Sequence, residues 1–280
     1  MDQNGEAGVR AALHYLAPGS RVNRRFVGPG VELNTGTYET HQVLIRDART
    51  RGAPFDLDTH GFTLAGHESA VADFRDKAEV EQAYPCEVDA LIKALTGADM
   101  VLSLGWILRS AGETGAEVQP PAADVHVDIV PETARRRFLE ERPEVQGRGY
   151  SRFLITSLWR AFSPPPQDRP LALCEAGSVG AEEGVSNTLV WVDAMPSAEA
   201  MLAPIEGEDR MPAASVFRYS PAHRWWYFPD MTRGEVLLFK LHDSDRTRAW
   251  RTPHSAFADP SRPDARTRES IEFRTVAYFA

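Results

Sequence analysis

The sequence predicts a mainly β protein: a sandwich or barrel, with a few flanking helices laid against the outside of one sheet. Three observations carry this expectation. Beyond residue 120, short apolar runs recur at 153–159, 171–175, 189–192, 214–219, 224–228, 235–242, 250–257 and 269–279, the rhythm of a multi-stranded sandwich or barrel. Chain breakers fall between them, at Ser163-Pro164-Pro165-Pro166, Pro229-Asp230 and the 259–264 loop. The 280 residues are 42% hydrophobic, enough for a sizeable core.

The first third is mixed. Residues 38–45 read as a strand. Residues 69–84 are polar, with apolar positions at helical spacing. Residues 85–95 read as a second helix that starts at Pro85, lines Val88, Leu91, Ile92 and Leu95 along one face, and stops at Gly97. A buried strand is expected at 100–108 and a surface loop at 111–122. Residues 125–130 alternate β-branched and polar residues. Residues 131–141 form a helix with Pro131 in its first turn. We expect one domain over 1–280, with a mixed 1–110 part packing on a 120–280 β core.

Composition removes several function classes. A net charge of −9 argues against a nucleic-acid partner, which would need clustered cations. The run Arg135-Arg136-Arg137 fans around a helix and reads as solvated surface. No apolar stretch approaches a membrane span, and the N-terminus lacks the basic and apolar regions of a secretory signal. Cys86 and Cys174 form no CxxC, which excludes a cysteine zinc site. Cys174 lies in the apolar run Leu171-Ala172-Leu173-Cys174, where a buried free thiol is expected. A cytoplasmic protein follows, and a homodimer is compatible with the sequence.

Chemistry concentrates in Val125-His126-Val127-Asp128-Ile129. Residues i and i+2 of a strand share a face, so His126 and Asp128 project together while the apolar residues face the other way. One imidazole and one carboxylate from one strand, with a histidine from a neighbour, make a facial triad that leaves positions open on iron(II). A buried Asp128 without a partner would be costly, and a metal removes that cost. His254 is the preferred third ligand. The last strand follows it and opens on Arg268 and Ser270, again i and i+2. A guanidinium fork and a hydroxyl on one face suit a carboxylate, as 2-oxoglutarate requires. His242 is the main competitor for the third position, while His223 could line the pocket instead. Arg274 shares the Arg268 face and is either the true cosubstrate anchor in place of Arg268 or a partner of Glu272; Arg268 is preferred because Ser270 adds a second donor.

Candidates for the substrate side are less specific. His223, Trp225 and Tyr227 share one face of an aromatic strand, with Trp226 and Phe228 on the other. Arg160 and Lys240 are candidate partners for an acidic substrate or the cosubstrate. Two other classes stay open on the residues alone: a hydrolase or isomerase holding zinc in the same three side chains, and a non-catalytic β-sandwich binding module with HxD as surface decoration.

Several segments together carry a resemblance. They are His126-Val127-Asp128, Trp159-Arg160, the 170–174 run, the 223–231 aromatic strand, the 237–240 run with Asp243-Ser244, the 253–257 run and the 268–274 run. In the N-terminal half, Asp47-Ala48-Arg49, Asp58-Thr59-His60-Gly61-Phe62 and Thr96-Gly97-Ala98 match too. The chain resembles the hydroxylase/desaturase family of secondary metabolism over most of its length. That resemblance implies a double-stranded β-helix core (jelly-roll, cupin-like). It also implies iron(II) and 2-oxoglutarate as cofactors, and dioxygen-dependent hydroxylation, desaturation or cyclisation of a small molecule. Two family motifs are altered: Trp-Arg-Pro is Trp159-Arg160-Ala161 here, and Asp-Ala-Arg-Ser is Glu175-Ala176-Gly177-Ser178. Substrate identity is therefore not carried over.

Overall fold

In the computed structural model, residues 7–112 and 118–280 are described. Two sheets carry the architecture. One has six strands, in the order Phe62–Gly66, Glu235–Asp243, Arg152–Ala161, Glu269–Phe279, Met100–Ser110, Val118–Gln119. The other has ten. Its central run is Trp225–Tyr227, Leu171–Cys174, His254–Ala256, His126–Val127. Gly8–Leu16 and Tyr38–Asp47 extend one side of that run, and Ala213–Val216, Val185–Trp191, Arg24–Gly28 and Val31–Asn34 the other. From residue 100 onward the chain crosses repeatedly from one sheet to the other, which buries strands from both sheets against each other.

Alternation decides which side chains see which core. On the last strand, Ile271, Phe273 and Ala277 enter the core beneath the long helix. Val276 and Tyr278 enter the core shared with the ten-stranded sheet. The middle strand divides the same way, with Leu154 and Leu158 on the helix side and Phe153, Ile155 and Trp159 on the other.

The helical part departs from the sequence reading. One helix runs Lys77–Thr96 with Pro85 inside it, where two were expected. The Asp76 side chain caps its start by accepting from the Ala78 and Glu79 amides, and Gly97 closes it at φ 72°. An interior proline costs about 3 kcal/mol. Val80, Tyr84, Val88 and Ile92 offset that cost, since all four are fully buried along one stripe against the six-stranded sheet. Residues 69–76 are an irregular lead-in rather than helix.

Other boundaries moved for identifiable reasons. Met100–Ser110 is half-exposed along much of its length, not buried, because its outer neighbour is only the two-residue Val118–Gln119 strand. Part of the 111–122 loop, 113–117, lies outside the described residues. The 250–257 run pairs only over His254–Ala256, since Pro253 has no N–H to donate. Pro131–Arg135 is helical as expected and continues as a wider π-type turn over Arg136–Glu140. Cys86 and Cys174 are both free, and burial pushes the Cys174 thiol up to about 12. Among the described residues, no helix is long and apolar enough to cross a membrane.

His242 is buried, stacked on Phe153 and edge-on to Trp250. Burial, helped by the Arg246 charge, pushes its imidazole from 6.5 down to about 4. The folded state therefore favours the neutral ring. This contribution is complete above pH 6.5 and is lost as the pH falls toward 4, at up to ~3 kcal/mol in total. Urea unfolding at pH 7.5 and pH 4.5 should show wild type losing about that much more stability between the two conditions than His242→Phe.

Candidate metal centre

One antiparallel rung builds the site. His254 pairs directly with His126 across neighbouring strands, and directly paired residues share a face. Asp128, two residues beyond His126, joins them. The His126 Nε2 lies 3.9 Å from Asp128 Oδ1, and the His254 Nε2 lies 3.8 Å from Asp128 Oδ2. Ligand atoms of all three fall within 4.8 Å of one another. Val125, Val127 and Ile129 are buried on the opposite face, as the alternation required.

The hydrogen bonds fix the ring chemistry. His126 Nδ1 sits 2.8 Å from the Asp124 carbonyl, and His254 Nδ1 sits 3.1 Å from the Thr252 carbonyl. A carbonyl oxygen only accepts, so both Nδ1 atoms carry the proton and both Nε2 lone pairs point at Asp128. Burial, with His126 beside it, lowers the His254 imidazole to about 4 and keeps it in the neutral, ligating form. Asp128 Oδ1 accepts from Arg274 at 2.8 Å, while Oδ2 is buried with no hydrogen-bond partner among the described residues. An orphaned carboxylate oxygen 3.8 Å from the His254 Nε2, with the His126 Nε2 beside the same carboxylate, is a deficit that a divalent cation removes. The donor set, two histidines and one carboxylate, fits iron(II).

A second deficit lies in the same cavity. Its walls include His126, His254, Phe239, Trp159, Leu171 and Arg268. Arg268 is 1% exposed, with its Nη1 donating to the Arg169 carbonyl at 2.7 Å and its Nε unpartnered. Ser270 Oγ is also buried and unpartnered. Burial, with Arg109 nearby, lowers the Arg268 guanidinium to about 9, so it is still charged at neutral pH. A buried cation and a hydroxyl on one face, both short of partners, fit a carboxylate of a bound acid.

Arg274 occupies a different place from Arg268. Its Nη2 donates to Asp128 and its Nε donates to Glu272 Oε1 at 2.7 Å. Glu272 Oε2 accepts from Arg109 Nε at 3.2 Å. Burial pushes the Glu272 carboxyl up, but Arg274 and Arg109 outweigh it and hold it well below the usual carboxylate range. Arg109 lines the cavity without having been singled out in the sequence, and Trp159, quoted there only as part of a resemblance motif, lines it too. Parity was the available signal: Trp159 alternates with the helix-side Leu158, and Arg109 is the neighbour of Ser270 across the sheet.

The substrate-side candidates fall elsewhere. Arg160 follows Trp159 and so projects to the helix side, where it donates to the His67 carbonyl and Tyr84 hydroxyl and pairs with His67 Nδ1. Lys240 follows Phe239 and also leaves the cavity face, holding Asp58 and Asp243 at 2.7 Å each. Trp226, through Leu173, shares the face of His254. Trp225 therefore faces away from His254 and donates to Tyr15. Tyr227 shares the Trp225 face and packs on Phe257, and His223 pairs with Glu183 at 2.6 Å and stacks on Tyr15. None of these five lines the cavity. The rival third ligand, His242, sits against Phe153 and Trp250.

Comparison with known proteins places this geometry in a family. A family model described as an oxidoreductase/YMDC permease-like domain matches residues 13–278. The chain is 33% identical over 255 residues to hydroxylase/desaturase CTB9 of Cercospora beticola, covering 83% of this chain and 75% of that one. It belongs to the hydroxylase/desaturase family. Alpha-ketoglutarate-dependent dioxygenase phiK of a fungal species is 30% identical to this chain over 286 residues, spanning 97% and 96% of the two chains. The solved structure of the iron and alpha-ketoglutarate-dependent endoperoxidase NvfI superposes at a TM-score of 0.80 with 26% identity, covering 97% of this chain and 98% of that one.

Two substitutions separate ligands from frame. His254→Ala should abolish stoichiometric Co(II) or Fe(II) binding in a metal-content assay while the protein stays folded. Lys240→Met should cost about 2 kcal/mol of stability, the scale of a lost charged hydrogen bond, since Arg152 still holds the buried Asp243 carboxylate, with metal affinity unchanged by calorimetric titration.

Proposed function

We propose that this hydroxylase/desaturase is an iron(II)/2-oxoglutarate-dependent oxygenase of a small-molecule, secondary-metabolite substrate, working as one domain in the cytoplasm. One observation carries the reading. Among the described residues, Asp128 Oδ2, Arg268 Nε and Ser270 Oγ are buried atoms without hydrogen-bond partners; Arg268 lines a cavity with His126 and His254, Ser270 shares the strand face of Arg268, and Asp128 sits beside the two histidines. A cation at the first and a carboxylate at the other two satisfy all of them at once. The alternation of strands between the facing sheets fits a double-stranded β-helix (jelly-roll) core, with the four central strands of the larger sheet over four of the smaller.

Within that core the residues have separate tasks. His126 and His254, oriented by their Nδ1–H bonds to the Asp124 and Thr252 carbonyls, present Nε2 to iron. Asp128 supplies the charged third ligand. Arg268 and Ser270 bind the far carboxylate of 2-oxoglutarate. Trp159, Leu171, Phe239 and Ala256 supply the apolar part of the wall and limit water in the space between metal and anchor. When bound, iron(II) and 2-oxoglutarate supply a dioxygen-consuming oxidation coupled to decarboxylation, and the protein contributes binding, orientation and exclusion of water. The relatives' names cover hydroxylases, desaturases, dioxygenases and an endoperoxidase. Hydroxylation, desaturation and ring formation all fit a site that holds its cofactors in this way.

Anaerobic addition of 2-oxoglutarate to the iron(II) protein should produce a visible charge-transfer band. On admitting air, oxygen uptake should be matched by succinate release. Arg268→Ala should raise the KM for 2-oxoglutarate about 10- to 100-fold, and Ser270→Ala about 5-fold, as expected for losing a charge-assisted and a neutral hydrogen bond. A protein that binds iron yet gives neither band nor succinate would sink the oxygenase reading.

A further inference from the structure

We propose that Arg274 is a positioning residue that dictates how Asp128 meets the metal, rather than a cosubstrate anchor. The inference rests on the metal-centre reading above. Arg274 Nη2 donates to Asp128 Oδ1 at 2.8 Å, and Oδ2 is left without a partner. A carboxylate has two oxygens with which to chelate a cation. Here one of them is already engaged by a guanidinium, so Asp128 offers the metal a single oxygen and spends one coordination position. Two histidines and one such oxygen leave three positions free. A chelating carboxylate would leave two, which a bidentate cosubstrate fills with no place for dioxygen.

The guanidinium itself is held. Its Nε donates to Glu272 Oε1 at 2.7 Å, and Glu272 Oε2 accepts from Arg109. The Arg109 Nη1 in turn donates to the Pro120 carbonyl at 3.0 Å. Side chains of both Arg109 and Glu272 line the cavity. Charge alternates along the row Arg109, Glu272, Arg274, Asp128. Glu272 lies between the two cations, so it offsets the repulsion that Arg274 would exert on a nearby metal ion. It also fixes the fork from behind, which keeps Arg274 aimed at Oδ1. Arg268 and Ser270 have unpartnered atoms to give an incoming carboxylate, whereas Arg274 is committed on two sides.

Co(II) serves as probe, because its visible spectrum reports coordination number without turnover. Wild type, Arg274→Met (which keeps the apolar stem), Arg274→Ala and Arg274→Lys are compared by Co(II) titration, by the spectrum of the Co(II) protein without cosubstrate, and by 2-oxoglutarate affinity. Met and Ala variants should lose metal affinity about 10- to 100-fold and show an altered Co(II) spectrum. The Lys variant, which restores a cation beside Oδ1, should recover most of both. Glu272 keeps Arg109 as a partner in every variant, so Arg274→Met should fold even if Arg274→Ala does not. An unchanged metal affinity and spectrum in Arg274→Met overturns the proposal. So does an unchanged Co(II) spectrum with weakened 2-oxoglutarate binding, which would make Arg274 a cosubstrate residue. His254→Ala is run alongside: if it retains Co(II), the metal centre itself fails, independently of Arg274.

Discussion

The structure of the site depends on one backbone rung. His126 and His254 face each other across adjacent antiparallel strands, so their imidazoles converge without help from any loop. Hydrogen bonds of the ladder hold that pair in place, and the strand's two-residue period brings Asp128 to the same face. Each ring is then turned by a bond to a carbonyl two residues before it. Rigid elements position a site more closely than loops do. Here the short strands are rigid because the larger sheet continues beyond them on both sides.

Around this rung the protein buries an unusual density of charge. Arg109, Glu272, Arg274, Asp128 and Arg268 all belong to the same cavity region, and ions taken from water cost several kcal/mol each unless paired. The row is tolerable because its signs alternate and every gap is a hydrogen bond of 3.2 Å or less. Arg268 stands outside the row and lacks a carboxylate of its own, which separates a group kept for a ligand from groups kept for each other. A second charged set, buried Lys240 and Asp243 with the part-exposed Asp58, lies on the other face of the Glu235–Asp243 strand.

Much of this was legible in the chain. Strand parity alone puts His126 with Asp128, and Arg268 with Ser270, Glu272 and Arg274, on common faces. The same rule sends Arg160 and Lys240 away from the cavity, since Trp159 and Phe239 take the inward positions just before them. It failed to be useful there because inward and outward faces of a sheet buried on both sides are equally apolar, with Leu158 and Leu238 as hidden as Trp159 and Phe239. The aromatic strand posed the same difficulty. Trp225 and Trp226 differ in face, and only their pairing with Cys174 and Leu173 shows which one looks toward the histidines. Pro85 misled for another reason: local backbone cost predicts a break, while a stripe of four buried side chains holds the helix through it.

The unpartnered atoms at Asp128, Arg268 and Ser270 have a consequence beyond catalysis. Each is a buried polar group that the unfolded chain would leave hydrated, so the empty protein carries their full desolvation penalty. Filling the cavity cancels that penalty only in the folded state, which by linkage makes occupancy a contribution to stability. The lifetime of the polypeptide is thus tied to the supply of two small solutes. On the proposed reading, a shortage of iron would leave the protein easier to unfold at the same time as it falls idle.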